Sequence, residues 1–399
     1  THARGDGNKP IMLIRNTSPD YRQALDPADA EALGPAAAGT VQHFLDTRAD
    51  YAPTPLVALP ALARAFGIGA LHIKDEGKRL GLASFKALGG AYATIRLAVE
   101  QAEKSLGRPI DIAAWRSPDV AKAAASMTVA CATDGNHGRS VAQGAQLIGA
   151  GCVIFVHEGV SEARCEAIAR FGARIVRVKG DYDDSVAEAA RAAEANGWTV
   201  VSDTSWPGYE RIPRTVMQGY TALLRETLAE IPAPPTHVFI QAGVGGIAAT
   251  VAAHFALVLG EKRPFLTVVD PSRAACLFES AKAGRPVKIA HCRPTVMAML
   301  ECHEPSLVAW RILARTADAF MTVDDEDAIA AMQRLAFPLG GDPAIVAGES
   351  GGAGLAALMK VAGNSALRDD IGLGADARVF LINTEGATDP KLYETLVHG

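Results

Sequence analysis

Short apolar runs alternate with alanine-rich stretches along most of the chain, and the turns between them are rich in glycine. The runs at 71–73, 129–131, 152–156, 174–178, 199–201, 237–240, 265–269 and 379–382 are continuously apolar or nearly so. A strand exposed on one face would alternate polar and apolar residues; a continuous run fits a strand buried on both faces. The stretches at 138–149, 162–171, 185–196 and 247–259 carry helical composition and lie between such runs. Strand–helix alternation of this kind predicts an α/β protein with open, mostly parallel sheets covered by helices on both sides. With 399 residues, two domains with separate cores are expected. There is no internal repeat, and the proline-rich 231–235 segment reads as a connection before a strand.

Composition excludes several functions. The formal net charge is -5 without a block of like charges, so nucleic-acid binding has no electrostatic support. No apolar run reaches the ~18 residues a membrane span needs. The first 22 residues hold only a short apolar patch, 11–14, and lack the core of a signal peptide. The 6 cysteines show no zinc-ligand spacing and are too few for a disulfide scaffold, which makes a reducing cytoplasm the expectation. No metal site is expected.

Several turns have the composition of ligand sites. In Ser84-Phe85-Lys86-Ala87-Leu88-Gly89-Gly90, a lysine stands in what reads as the first turn of a helix. The positive helix end and burial both disfavour an ammonium, so Lys86 is expected to be a neutral amine able to form a Schiff base with an aldehyde. An ordinary surface lysine is the alternative. Gln241-Ala242-Gly243-Val244-Gly245-Gly246 follows a strand and opens a helix, offering several amides to one anion. A phosphate suits it better than a dinucleotide, because no acidic residue follows at the end of a next strand. Close packing of helix on strand would need the same glycines.

Thr133-Asp134-Gly135-Asn136-His137-Gly138-Arg139 repeats that context and could hold a substrate carboxylate. Asn136 offers a neutral donor to a phenolate-like oxygen, and His137 either catalyses or packs. Asp134 is out of place beside an anion unless a cation is also bound. Glu349-Ser350-Gly351-Gly352 is a further turn into a helix, and Thr384-Glu385-Gly386 closes the last strand, where parallel sheets place ligand contacts. The Thr384 hydroxyl suits a ring nitrogen that carries no charge; a capping or strand-end turn would look the same.

Ser84-Phe85-Lys86, the Gly-Asn-His-Gly turn and the Gly-Val-Gly-Gly loop, in that order, resemble the tryptophan-synthase-β type of pyridoxal-phosphate enzyme, the second fold type of that cofactor class. The likeness extends from about Thr54 to Glu385 and implies two three-layer αβα domains with pyridoxal 5′-phosphate in the cleft between them. It implies a large domain of residues 1–108 and 206–399, with a small domain, 109–205, inserted in it. On this likeness Lys86 carries the cofactor as a Schiff base beside Phe85, Asn136 meets the ring 3′-oxygen, and Gly243, Val244, Gly245 and Gly246 hold the phosphate. Thr384 faces the ring nitrogen, and Glu349 belongs with the cofactor contacts.

The chain is more closely similar to the diaminopropionate ammonia-lyases. That likeness rests on 74–79, 133–139, Tyr182-Asp183-Asp184, Asp203-Thr204-Ser205-Trp206-Pro207-Gly208-Tyr209 and Ser350-Gly351-Gly352. Dehydratases usually carry Ser where this chain has Asp134, and the short stretch after Gly386 leaves no room for the regulatory domain of the biosynthetic ones. The resemblance implies elimination from D- or L-2,3-diaminopropionate, giving pyruvate and two ammonia. Lys86, Asp134 and Asp203 are then catalytic, and Asp134, Gly135 and His137 bind substrate. Asp203 could equally be a turn aspartate. A serine or threonine dehydratase and a non-catalytic cofactor-binding protein are the alternatives. The family expectation is a cytoplasmic homodimer acting on a small amino acid. Cys276 and Cys302 could approach each other near the site mouth and pair under oxidising conditions.

Overall fold

The structure is a computed structural model describing residues 13–180, 182–290 and 293–399. Ile11, in the N-terminal apolar patch, and Cys292 lie outside them. Eleven strands are formed among the described residues: β1 (Leu13–Arg15), β2 (Leu56–Ala58), β3 (Ala70–Asp75), β4 (Thr128–Ala132), β5 (Gly151–His157), β6 (Arg174–Val178), β7 (Thr199–Val200), β8 (His237–Gln241), β9 (Phe265–Pro271), β10 (Ala319–Val323) and β11 (Arg378–Asn383). They make a 7-stranded sheet, β1-β10-β9-β8-β11-β3-β2, and a 4-stranded sheet, β6-β5-β4-β7. The smaller sheet is wholly parallel. The larger is parallel except at its edges, where β1 runs antiparallel to β10 and β2 antiparallel to β3.

The eight apolar runs read as strands are all strands. Three more, β1, β2 and β10, had not been singled out. Both antiparallel edges belong to that group, and each is only 3 residues long. So short a strand carries too little pattern to be told from a loop.

Core packing joins the two sheets. Val129 and Cys131 point to the same apolar cluster as Ile240, Val268 and Phe380 of the larger sheet, while Ala130 and Val153 face a separate cluster on the outer side of the smaller one. A third cluster, including Phe239, Val269 and Leu381, covers the other side of the larger sheet. The helix Lys86–Leu106 lies in the joining layer and packs on both Asn136–Ile148 and Arg211–Glu230. Glycines set how close these helices come. A Cβ on Gly219 would stand 2.3 Å from the Leu88 carbonyl oxygen, and one on Gly144 would stand 2.7 Å from Ala91 Cα. The lysine helix is therefore seated against both neighbours at backbone contact, which fixes where Lys86 emerges.

Among the described residues no helix is long and apolar enough to cross a membrane. Nor does any group of three or more His, Cys, Asp or Glu side chains there stand where it could hold a metal ion.

Candidate active site

The C-terminal ends of strands from both sheets converge on one cavity, as ligand sites of open parallel sheets do. β8 continues through Gly243, Val244 and Gly245 into the helix Gly246–Leu259, β4 through Thr133, Asp134 and Gly135 into Asn136–Ile148, and β11 into Thr384 and Glu385. The turn residues 133–135 and 243–245, the helix starts Asn136 and Gly246, and Thr384 and Glu385 line the cavity, together with Ser84, Phe85, Lys86, His137, Tyr182, Asp203, Cys302 and Ser350.

Lys86 opens its helix, whose N-terminus has no side-chain cap. The segment before it is tied to the end of β11: Phe85 N donates to Thr384 O at 3.0 Å and Gly386 N to Ala83 O at 2.9 Å, with Ser84 bridged to Glu385. The Lys86 amine donates to the Asp203 carboxylate. Burial pushes the lysine pKa down, but the Asp203 charge, the tyrosine Tyr220 and the hydrogen bond outweigh it, leaving the pKa above the usual lysine value. This corrects the expectation of a neutral amine. The expectation weighed only the helix end and burial; the counter-charge comes from a residue 117 positions away, which local sequence does not reveal. Asp203 is reciprocally held below the usual carboxylate range, since His137 and Lys86 overcome the upward push of burial.

The glycine loop has the shape of an anion cradle. The helix Gly246–Leu259 begins without a side-chain cap, so its first amides are open to a ligand. Gly245 has φ 102, a left-handed conformation that favours glycine, and a Cβ there would meet Ala309 Cβ at 3.0 Å. A Cβ on Gly243 would stand 2.9 Å from Cys302 Sγ. Opposite, the Ser350 hydroxyl is buried without a hydrogen-bond partner. Thr384 Oγ1 accepts from Gln241 Nε2 at 3.0 Å, and Gln241 also donates to the Gly351 carbonyl at 2.8 Å. A lysine amine, the open amides of a helix start and an unsatisfied hydroxyl around one space match an aldehyde, a phosphate and a polar ring. The residues present fit pyridoxal phosphate.

In the second turn Gly135 has φ 154 and ψ -76. Asn136 Nδ2 donates to Glu385 Oε2 at 2.6 Å. His137 Nε2 lies 2.8 Å from the Val201 carbonyl, which can only accept, so Nε2 carries the proton and Nδ1 faces Asp203 at 3.8 Å. Burial lowers the His137 pKa, against the Asp203 charge, which raises it. Asp134 Oδ1 stands 3.0 Å from His157 Nε2, within ion-pair range but off hydrogen-bond alignment, so that oxygen has no hydrogen bond.

Every expected site residue except one borders the cavity. Glu349 is buried outside its lining, 3.5 Å from Arg164 Nη2. Tyr220, Glu385, Gln241 and His157 reach the site without having been singled out. Glu385 and Gln241 occupied motifs already noted, and His157 ends a strand on the same edge as the others, a signal that was available. Tyr220 sits within a long helix among buried apolar neighbours and looks like any core aromatic. Cys276 and Cys302 are free thiols beside the glycine loop, Cys276 Sγ lying 3.6 Å from Gly243 O.

A lysine between a glycine phosphate loop and a strand-end hydroxyl defines a pyridoxal-phosphate enzyme of the second fold type. The family model described as pyridoxal-phosphate dependent enzyme matches residues 47–385, and the chain belongs to that family. Within it, the chain is 39% identical to diaminopropionate ammonia-lyase of Escherichia coli strain K12, over 89% of this chain and 90% of that protein. The crystal structure of the Escherichia coli lyase in complex with an aminoacrylate-PLP azomethine reaction intermediate superposes with a TM-score of 0.86 at 36% identity, covering 97% of each chain. Its complex with D-serine gives 0.86 at 35% identity.

Proposed function

We propose that the chain is a lyase that converts 2,3-diaminopropionate and water to pyruvate and two ammonia. The observation carrying this reading is that two carboxylates, Asp134 and Asp203, border the same cavity as Lys86. A substrate with one carboxylate and two ammonium groups needs an anion cradle and a compensating acid close together. Serine, which lacks the second ammonium, would offer no cation to the second carboxylate. The similarity to the Escherichia coli lyase supports the same choice.

When bound, pyridoxal phosphate supplies an electron sink for the α-carbon. Lys86 Nζ moves the α-proton on its side of the site, with Asp203 holding the amine in place. Asp134 lies in the turn that receives the substrate carboxylate with Gly135 and His137. Asp134 or Asp203, as a carboxylate, keeps the departing β-nitrogen in its ammonium form, since it leaves poorly as a free base. With the cofactor bound, Asn136 would face the ring 3′-oxygen and Thr384 the ring nitrogen. Glu349 acts from behind this layer, by way of Arg164 and Glu385. Residues 109–205 are the small domain and the remainder the large one. A cytoplasmic homodimer fits the family.

Steady-state assays on D- and L-diaminopropionate, serine and threonine test the substrate. The expected result is the highest kcat/KM with diaminopropionate and two ammonia per pyruvate. A preference for serine or threonine would assign the chain to the dehydratases instead.

A further inference from the structure

Glu385 is the most buried acid lining the cavity, and the reaction described above gives it no contact with the substrate. Its side chain is 1% exposed. Oε2 accepts from Asn136 Nδ2 at 2.6 Å, and Oε1 accepts from the Ser350 amide at 3.4 Å. An asparagine amide has two N–H bonds in one plane, so committing one to Glu385 fixes the direction of the second.

We propose that Glu385 is the positioning residue for Asn136 and, through that amide, sets how the ring oxygen of the cofactor is hydrogen-bonded. This rests on the proposed contact between Asn136 and the cofactor. The backbone bridge between Ser84 and Glu385 ties the same residue to the segment that carries Lys86, so the carboxylate that holds Asn136 sits on a strand end fixed against that segment.

The groups facing Glu385 come from four elements. Asn136 and Arg139 lie on the helix Asn136–Ile148, Arg164 on Glu162–Ala169, Glu349 and the Ser350 amide in the turn before Ala353–Ala362, and Ser84 before the lysine helix. Burial and then the Glu349 charge push the Glu385 carboxyl up to about 8, against Asn136 and Arg164. It is neutral at pH 7 and gains its charge on the alkaline side. That charge tightens the bond to Asn136 and opposes negative charge on the ring oxygen.

The test compares wild type, Glu385→Gln and Glu385→Ala, reconstituted with pyridoxal phosphate. The readouts are the visible absorption of the bound cofactor from about pH 6 to pH 10 and its dissociation constant. Wild type should show an absorption transition centred near about 8. Glu385→Gln keeps an acceptor for Asn136 but cannot ionise, so its transition should vanish while its affinity stays within about threefold. Glu385→Ala should bind the cofactor at least about tenfold more weakly, the loss of one well-made hydrogen bond, and its absorption should already be shifted at pH 7.

A Glu385→Gln enzyme that keeps the wild-type transition overturns the proposal, even if the alanine variant fails to fold. So does a folded Glu385→Ala with wild-type affinity and spectrum. A wild type that takes up no cofactor would instead sink the proposed function, and this inference with it; unaltered variants of an active wild type sink the inference alone.

Discussion

Lys86 and Asp203 form a charged pair whose members come from different parts of the chain, and each sets the other's ionisation. Asp203→Asn removes the counter-charge, so the lysine pKa falls and the amine loses its anchor. Turnover of both isomers should drop by about 10²–10⁴, the usual share of a positioned acid or base. Asp134→Asn should instead separate the isomers, abolishing turnover of one far more than the other. Rates for D- and L-diaminopropionate measured side by side decide both; equal losses on Asp134→Asn would end the stereochemical division of labour. A second titration concerns stability alone. Asp270 Oδ2 accepts from the Leu277 and Phe278 amides at 2.9 Å each, while Oδ1 is buried without a partner. Burial raises this carboxyl to about 8. The folded state then binds more protons than the unfolded state between the ordinary carboxylate range and about 8, so stability falls as pH rises through that window. Asp270→Asn keeps an acceptor without the charge, and its melting temperature at pH 8 should equal or exceed that of wild type, with the advantage gone at acid pH. A variant that is clearly less stable at pH 8 would contradict the assignment.

Among the elements, the helix Lys86–Leu106 matters most, because its seating fixes the lysine. Gly219→Ala would press a methyl against the Leu88 carbonyl oxygen at 2.3 Å and should cost about 1–3 kcal/mol. Chemical denaturation should show a lower midpoint with an unchanged slope. Gly374→Ala, where nothing lies within 4 Å, is the matched control and should leave the midpoint unchanged. An unaffected Gly219→Ala would show that the crossing is looser than described. Much of this level was legible in sequence. The buried parallel strands read as continuous apolar runs, and the helices opening at Asn136 and Gly246 follow glycine turns, a composition that close helix–strand packing would share. The edges β1 and β2 were not legible, because 3 residues carry almost no periodic signal. β10 was passed over although its run, Ala319–Val323, is as apolar as its neighbours.

Across the whole molecule, two sheets present their carboxyl edges to one cavity, and a buried charge network supports the approach to it. Glu226 pairs with Lys74 at 2.8 Å and with Arg79 at 2.7 Å, and Arg79 also pairs with Glu76 at 2.7 Å. The network ties the helix Arg211–Glu230 to the segment between β3 and Lys86. Glu226→Ala would strand buried Lys74 and leave Arg79 with Glu76 alone, and a loss of about 3–5 kcal/mol is expected, read by denaturation. A loss under about 1 kcal/mol, as for a surface pair, would show that the network is dispensable. The site itself was only partly legible. Residues that belong to glycine turns, such as Asn136 and Gly243–Gly246, announce themselves by local chemistry. Partners that meet through the fold do not: the charge state of Lys86 is set by Asp203, 117 positions away, and Tyr220 resembles a core residue. The measurement that bears most directly on the account is peptide mapping of the holoenzyme after borohydride reduction. The account predicts a pyridoxyl-phosphate group on the peptide containing Lys86 and on no other lysine. A modification elsewhere, or a cofactor that washes away with Lys86 untouched, would contradict it.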